Sequence, residues 1–235
     1  MLKHADRYLE LSELGKPMPY LPTHEFNGDH LNDRHASYST CPMGAMGIEA
    51  CIDIGIEGYL QRADALKIYE LAYFSDGDVL ELGTHKGLST SIISSALTEN
   101  TEADDARVLE TVDIDKAFSK VARKNNANTP GQKGIQYHVM DAAAMMDKMI
   151  KAERKFGFIF VDHWHGYDAT KDAAVRVDKL LKPGGFVLFH DYNDPSNADP
   201  KHVYGVYQAV EEVIVKSGQY EFCGNYGCCG LFQMK

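Results

Sequence analysis

The stretch that most limits what this chain can become is Val79-Leu80-Glu81-Leu82-Gly83-Thr84-His85-Lys86-Gly87-Leu88-Ser89-Thr90. It starts as a short apolar strand and passes through a turn with glycines four residues apart. It then opens a run of helix-forming residues, Ser89 to Leu97. Strand, glycine turn and helix in that order make the first half of a βαβ unit. In a doubly wound sheet the ligand lies at such a turn, outside the carboxyl end of the strand.

Two phosphate-binding patterns are excluded at this turn. A dinucleotide fingerprint needs a second glycine where the backbone touches the pyrophosphate, and here that position is His85. The phosphate loop of nucleotide hydrolases needs Gly-Lys-Ser/Thr, whereas Lys86 precedes Gly87. What remains is an acidic residue followed by Gly-x-x-x-Gly. This resembles motif I of the class I S-adenosylmethionine-dependent methyltransferases. Their cofactor has no phosphate but carries an amino acid and a ribose. Glu81 can accept from its ammonium, and amides at the helix start can meet its carboxylate. The resemblance therefore implies cofactor contacts at Glu81, Gly83, Thr84, Gly87 and Ser89.

The rest of the chain suits one α/β domain. Its 235 residues, 44% hydrophobic and 25% charged, are ordinary for a globular protein. Lys+Arg 24 against Asp+Glu 34 gives a net charge of −10, which argues against a nucleic-acid partner. No apolar run approaches the roughly 20 residues that cross a bilayer, and Met1 to Arg7 lacks a signal-peptide core. The five cysteines are expected to be reduced thiols in a cytoplasmic protein. Cys223, Cys228 and Cys229 leave a zinc site open. Residues 1–62 are expected to form an N-terminal cap, with short helices over Asp6 to Leu14 and from Gly47 to Leu60. Pro17, Pro19, Pro22, Gly28 and Pro42 keep the part between irregular. Such a cap would cover the site or build a contact in a homo-oligomer.

The main domain, residues 63–235, opens with a helix from Ala63 to Phe74. Strand two, Arg107 to Asp113, places Asp113 at its tip, where an acidic residue can accept both ribose hydroxyls. Its distance from the turn exceeds the usual roughly 20 residues, and the acidic loop from Glu99 to Asp105 accounts for the excess. Asp115 suits a helix N-cap better than Asp113 does. Strand three, Ile135 to Met140, stops at Asp141, which either meets the adenine amine, as the family implies, or caps the helix from Ala142. Strand four, Phe158 to Val161, is apolar on both faces, as a central parallel strand should be. It leads into Asp162-His163-Trp164-His165. After a helix and the turn Lys182-Pro183-Gly184-Gly185, strand five ends in His190-Asp191. Val203 to Lys216 is expected to be helical, and an antiparallel pair near Tyr220 and Gly230 would close a mostly parallel, seven-stranded, Rossmann-like sheet.

From Asp78 to Asp191 this order resembles the metal-dependent small-molecule O-methyltransferases of the sugar and macrolide type and, more distantly, the catechol type. The resemblance implies a divalent cation, magnesium or manganese, held by Asp162 and Asp191 with His190 as a further ligand. A histidine in place of the family's first acid suits iron or zinc better than magnesium. It also implies His165 as general base, Asp162 at the reacting oxygen, and a small hydroxylated acceptor. Two other readings stand beside it: an oxidoreductase or hydroxylase on the same scaffold, and a non-catalytic cofactor-binding protein.

Overall fold

The computed structural model describes residues 7–26, 51–100 and 107–235. Its centre is a seven-stranded sheet: β1 (Val79–Leu82), β2 (Leu109–Asp113), β3 (Ile135–Val139), β4 (Phe156–Val161), β5 (Leu181–Phe189), β6 (Tyr220–Tyr226) and β7 (Cys229–Met234). The order across the sheet is β3-β2-β1-β4-β5-β7-β6. The pairs β3 to β5 are parallel; β7 runs antiparallel to both β5 and β6. The order reverses between β1 and β4, so their carboxyl ends part to leave a crevice.

Parallel strands need crossover helices, and these cover both faces. They are α1 (Arg62–Tyr73), α2 (Leu88–Glu99), α3 (Lys116–Asn125), α4 (Ala142–Lys151), α5 (Tyr167–Leu180) and α6 (Val206–Val210), the last continuing as a π-helical turn over Glu211–Val215. Every residue of β4 is buried. Strand pleating splits it between two cores: Phe158 and Phe160 pack with α1 and α2, while Ile159 and Val161 pack with α4 and α5. No helix among the described residues is long and apolar enough to cross a membrane.

The expected strands and helices of the main domain form within a few residues of their predicted bounds. One boundary moves: Lys182 to Gly185 belongs to β5, beside a register shift opposite Phe156 and Phe158. The amino-terminal helices do not form where described. Leu11–Glu13 makes a 3-10 turn, and Gly15 follows it at φ +85°. Residues 51–60 instead make a loop closed by an antiparallel bridge of Cys51 to Gln61 and a 2.8 Å bond from Ile52 N to Leu60 O. Gly58 is pressed against Leu88, where a Cβ would lie 2.7 Å from Leu88 Cδ2. Tertiary contact thus overrides the helical spacing of the apolar residues. Gly28 and Pro42 of the irregular part, and the start of the second expected helix, lie outside the described residues.

Candidate functional site

Where β1 and β4 part, a cavity of about 1230 Å³ opens. Gly83, the first residue past β1, sits at φ +103°. A Cβ there would lie 2.0 Å from the Asp162 carbonyl oxygen, so only glycine lets the ends of β1 and β4 approach. The chain then enters α2 through Gly87, whose role is packing: a Cβ would meet Asn126 Nδ2 at 2.4 Å. No side chain caps α2, so its first amides are open to an anion beside Ser89, which lines the cavity.

Glu81 is placed differently from the expectation. Leu80 and Leu82 point toward α4 and α5, so alternation turns Glu81 toward α2. There it is fully buried, off the cavity wall. Its Oε2 accepts from Thr90 Oγ1 and Thr111 Oγ1, both at 2.6 Å, and Oε1 has no partner. Burial raises its pKa to about 7. A carboxyl whose folded pKa lies above its unfolded value stabilises most below the unfolded value, and that contribution is lost as pH rises through the folded one. Stability should therefore fall by about 3 kcal/mol more between pH 5 and 8 in the wild type than in Glu81→Gln. Parallel profiles in urea unfolding would show that Glu81 is ionised throughout.

The second and third strand tips frame the other end. Asp113 Oδ2 accepts from His85 N and Oδ1 from Asp115 N, both at 2.7 Å. Asp115 caps α3, as its position suggested. Beside Asp113, the Ile114 side chain is 75% exposed and lines the cavity with Met140 and Ala142. Asp141 caps α4 at Ala144 N, 2.9 Å, and also lines the cavity. Thr84 lines it too, its hydroxyl 2.6 Å from that of Thr111.

Across the crevice Asp162, His165, His190 and Asp191 come together as expected. Their detailed arrangement is different. Phe189 faces α4 and α5, so His190 continues the pleat to the α1 face, beside Asp64 and edge-on to Phe160. Its Nδ1 lies 3.1 Å from Asp162 Oδ1 and 3.2 Å from Asp191 Oδ1; Nε2 lies 3.7 Å from Asp64 Oδ2. Neither nitrogen is in hydrogen-bonding geometry. Burial opposes the imidazolium, but the carboxylates outweigh it and hold the His190 pKa well above the usual value. Among the described residues, three groups have ligand atoms within 4.8 Å of one another: Asp162, His165 and Asp191; Asp64, His190 and Cys229; and Asp191, Asp194 and Cys228.

Asp191 achieves this by leaving the strand at φ +57°, a left-handed conformation that aspartate tolerates better than most residues. Asn197 Nδ2 secures its carbonyl at 2.7 Å. The turned carboxylate reaches His165 Nδ1 at 2.9 Å. Burial acts to lower the His165 pKa and Asp191 raises it, with a net rise; Asp191 itself is depressed by its two histidine partners against the opposing effect of burial. Two carboxylates and an imidazole on a cavity wall are a donor set that fits a divalent cation.

Several lining residues went unread in the sequence. Trp164, 64% exposed, and the buried-side His163 follow Asp162 directly. An apolar ring beside a strand-end aspartate was the available signal. Tyr204, whose ring centroid is 5.1 Å from that of His165, carried none, nor did Gln61 or Cys228.

No curated protein matches the chain in sequence. Residues 80–192 match a family model described as a methyltransferase domain. Among solved structures, the O-methyltransferase TomG from Streptomyces achromogenes, in complex with S-adenosylmethionine, is similar with a TM-score of 0.62 at 19% identity, over 75% of this chain and 81% of that one. An O-methyltransferase from Bacillus cereus in complex with SAH gives 0.61 at 14%, over 91% and 94%. CalS11, a TDP-rhamnose 3'-O-methyltransferase of calicheamicin biosynthesis, gives 0.55 at 12%, over 72% and 76%. At such identities the structures speak for the fold, and the domain match for the sequence inside it. Strand order and glycine turn agree with the match of residues 80–192 to a methyltransferase domain.

Proposed function

We propose that the chain transfers a methyl group from S-adenosylmethionine to a hydroxyl of a small molecule, assisted by a divalent cation. The observation that carries this reading is the His165–Asp191 pair, 2.9 Å apart, facing the same cavity as the glycine turn. A neutral hydroxyl is a weak nucleophile toward a sulfonium carbon, and it needs a group that takes its proton. With Nδ1 engaged by Asp191, Nε2 of His165 is the nitrogen left for an acceptor.

The residues fit the cofactor. The uncapped first turn of α2 suits its carboxylate, and Asp113 suits the ribose hydroxyls. Exposed Ile114, with Met140 and Ala142, offers an apolar bed for adenine, and Asp141 can accept from its amine. Glu81, buried off the cavity wall, acts on this site by holding Thr90 and Thr111. A divalent cation would be held by Asp162 and Asp191, and when bound it supplies Lewis acidity toward a hydroxyl. His190, within 3.1 Å of Asp162 and 3.2 Å of Asp191, fixes the orientation of those carboxylates.

Labelled methyl transfer from S-adenosylmethionine to a library of hydroxylated compounds tests the proposal. Transfer should occur, stop with chelator and return with manganese or magnesium. Cofactor binding with no transfer to any member would favour a binding protein. Asp113→Ala should weaken cofactor binding by roughly 1–3 kcal/mol in calorimetry, the scale of charge-assisted hydrogen bonds. Unchanged affinity would remove the ribose from this strand tip.

A further inference from the structure

The charge of the cavity wall is one-sided. Its described residues include seven aspartates and neither a lysine nor an arginine. Cofactor and cation do not balance this. Even with a proton counted on both His165 and His190, which would offset two of those charges, a sulfonium cofactor adds a single net positive charge and a divalent cation adds two. The wall would still be net negative. A concave site lined by one sign of charge concentrates the opposite sign. An acceptor bearing phosphate or carboxylate would meet repulsion here.

Two further features locate the complementary groups. His190 lines the cavity, but its Nδ1 lies 3.1 Å from Asp162 Oδ1 and 3.2 Å from Asp191 Oδ1, so it faces those two carboxylates and not Asp194. Three residues beyond Asp191, half-buried Asp194 turns a carboxylate to the same cavity. Its Oδ1 accepts from Ser196 N at 2.7 Å and caps the 3-10 turn Pro195–Ala198, which leaves Oδ2 for a ligand. Asp194 and Asp191 reach within 4.8 Å of each other's ligand atoms. Tyr204 adds an aromatic ring to that wall, and such a face attracts an ammonium.

We propose that the acceptor is a hydroxylated amine, bound as its ammonium by Asp194 with its hydroxyl toward His165. This rests on the O-methyl transfer proposed above and adds the substrate class. The step is balanced: the acceptor oxygen bonds to the methyl carbon, the carbon–sulfur bond breaks toward sulfur, and the hydroxyl proton goes to His165.

The test uses full-length protein with S-adenosylmethionine and a library of amino sugars and catecholamines. Each is paired with its N-acetyl form, a neutral polyol or catechol, and a phosphate monoester. Free amines should exceed their N-acetyl partners at least tenfold in kcat/KM, with phosphate monoesters slowest. In Asp194→Asn, which keeps Oδ1 for the cap, the preference should shrink to within about twofold through KM, while calorimetry shows unchanged cofactor affinity. Equal turnover of amine and N-acetyl forms, or a preference that survives Asp194→Asn, overturns the assignment and leaves O-methyl transfer standing. Methylation of no compound in the library overturns both.

Discussion

His165→Ala should lower turnover by roughly 10²–10⁴-fold, the range in which a positioned general base contributes. The ring is oriented by the 2.9 Å contact of Nδ1 with Asp191 Oδ2, and Tyr204 packs beside it. His163, two residues earlier, has its pKa lowered chiefly by burial and makes no such contact with Asp191, so His163→Ala is the control. Because His165 also belongs to the three-residue donor group, the variant must be assayed for manganese affinity as well. Lost turnover with retained manganese binding identifies the base. Lost turnover that excess manganese restores would make His165 a ligand instead, and near-normal turnover would remove it from the chemistry.

The largest stability effect is expected from Glu70→Ala on α1. Glu70 and Lys67 are both fully buried and form an ion pair of 2.7 Å. Glu70 also accepts from Thr23 N at 2.7 Å, His24 N at 2.8 Å and the Tyr20 hydroxyl. Lys67 donates to Thr23 Oγ1 at 2.9 Å and to Leu21 O at 3.1 Å, and it lies over the Tyr226 ring. Burial lowers the Lys67 pKa to about 8, against the pull of Glu70. Removing the carboxylate leaves an uncompensated buried cation, at a loss of about 3–5 kcal/mol in urea unfolding. Replacing both partners with apolar residues, Lys67→Met with Glu70→Leu, should recover much of that. The same cluster anchors the arm of residues 7–26, whose Gly15 lines the cavity, so the single variant should also expose the arm to protease. A loss below about 1 kcal/mol would mean that water already reaches the pair.

The parts of the site legible in the sequence share one cause. Asp113, Asp141, Asp162 and Asp191 each end a strand or follow one within two residues, and a parallel sheet gathers all its carboxyl ends at one edge. Finding the strands therefore found the crevice. The long apolar run of β4 and the alternation of β3 were enough for that, because burial on two faces or one leaves a periodic trace. The arm and residues 51–60 left no such trace. Their conformation is set by partners distant in the chain, Glu70 and Leu88 among them.

What the sequence determined by itself is the order of elements, the turn that only glycine can make at Gly83, and the acidic residues delivered to one edge. Tertiary structure alone decided where those side chains aim. Pleating turned Glu81 inward to Thr90 and Thr111 and carried His190 to Asp64, while a left-handed residue at Asp191 sent its carboxylate to His165. Periodicity assigns a residue to a strand end. Which neighbour its side chain meets depends on the pleat, the register and one backbone angle, and these are fixed only when the packed sheet satisfies its buried polar groups.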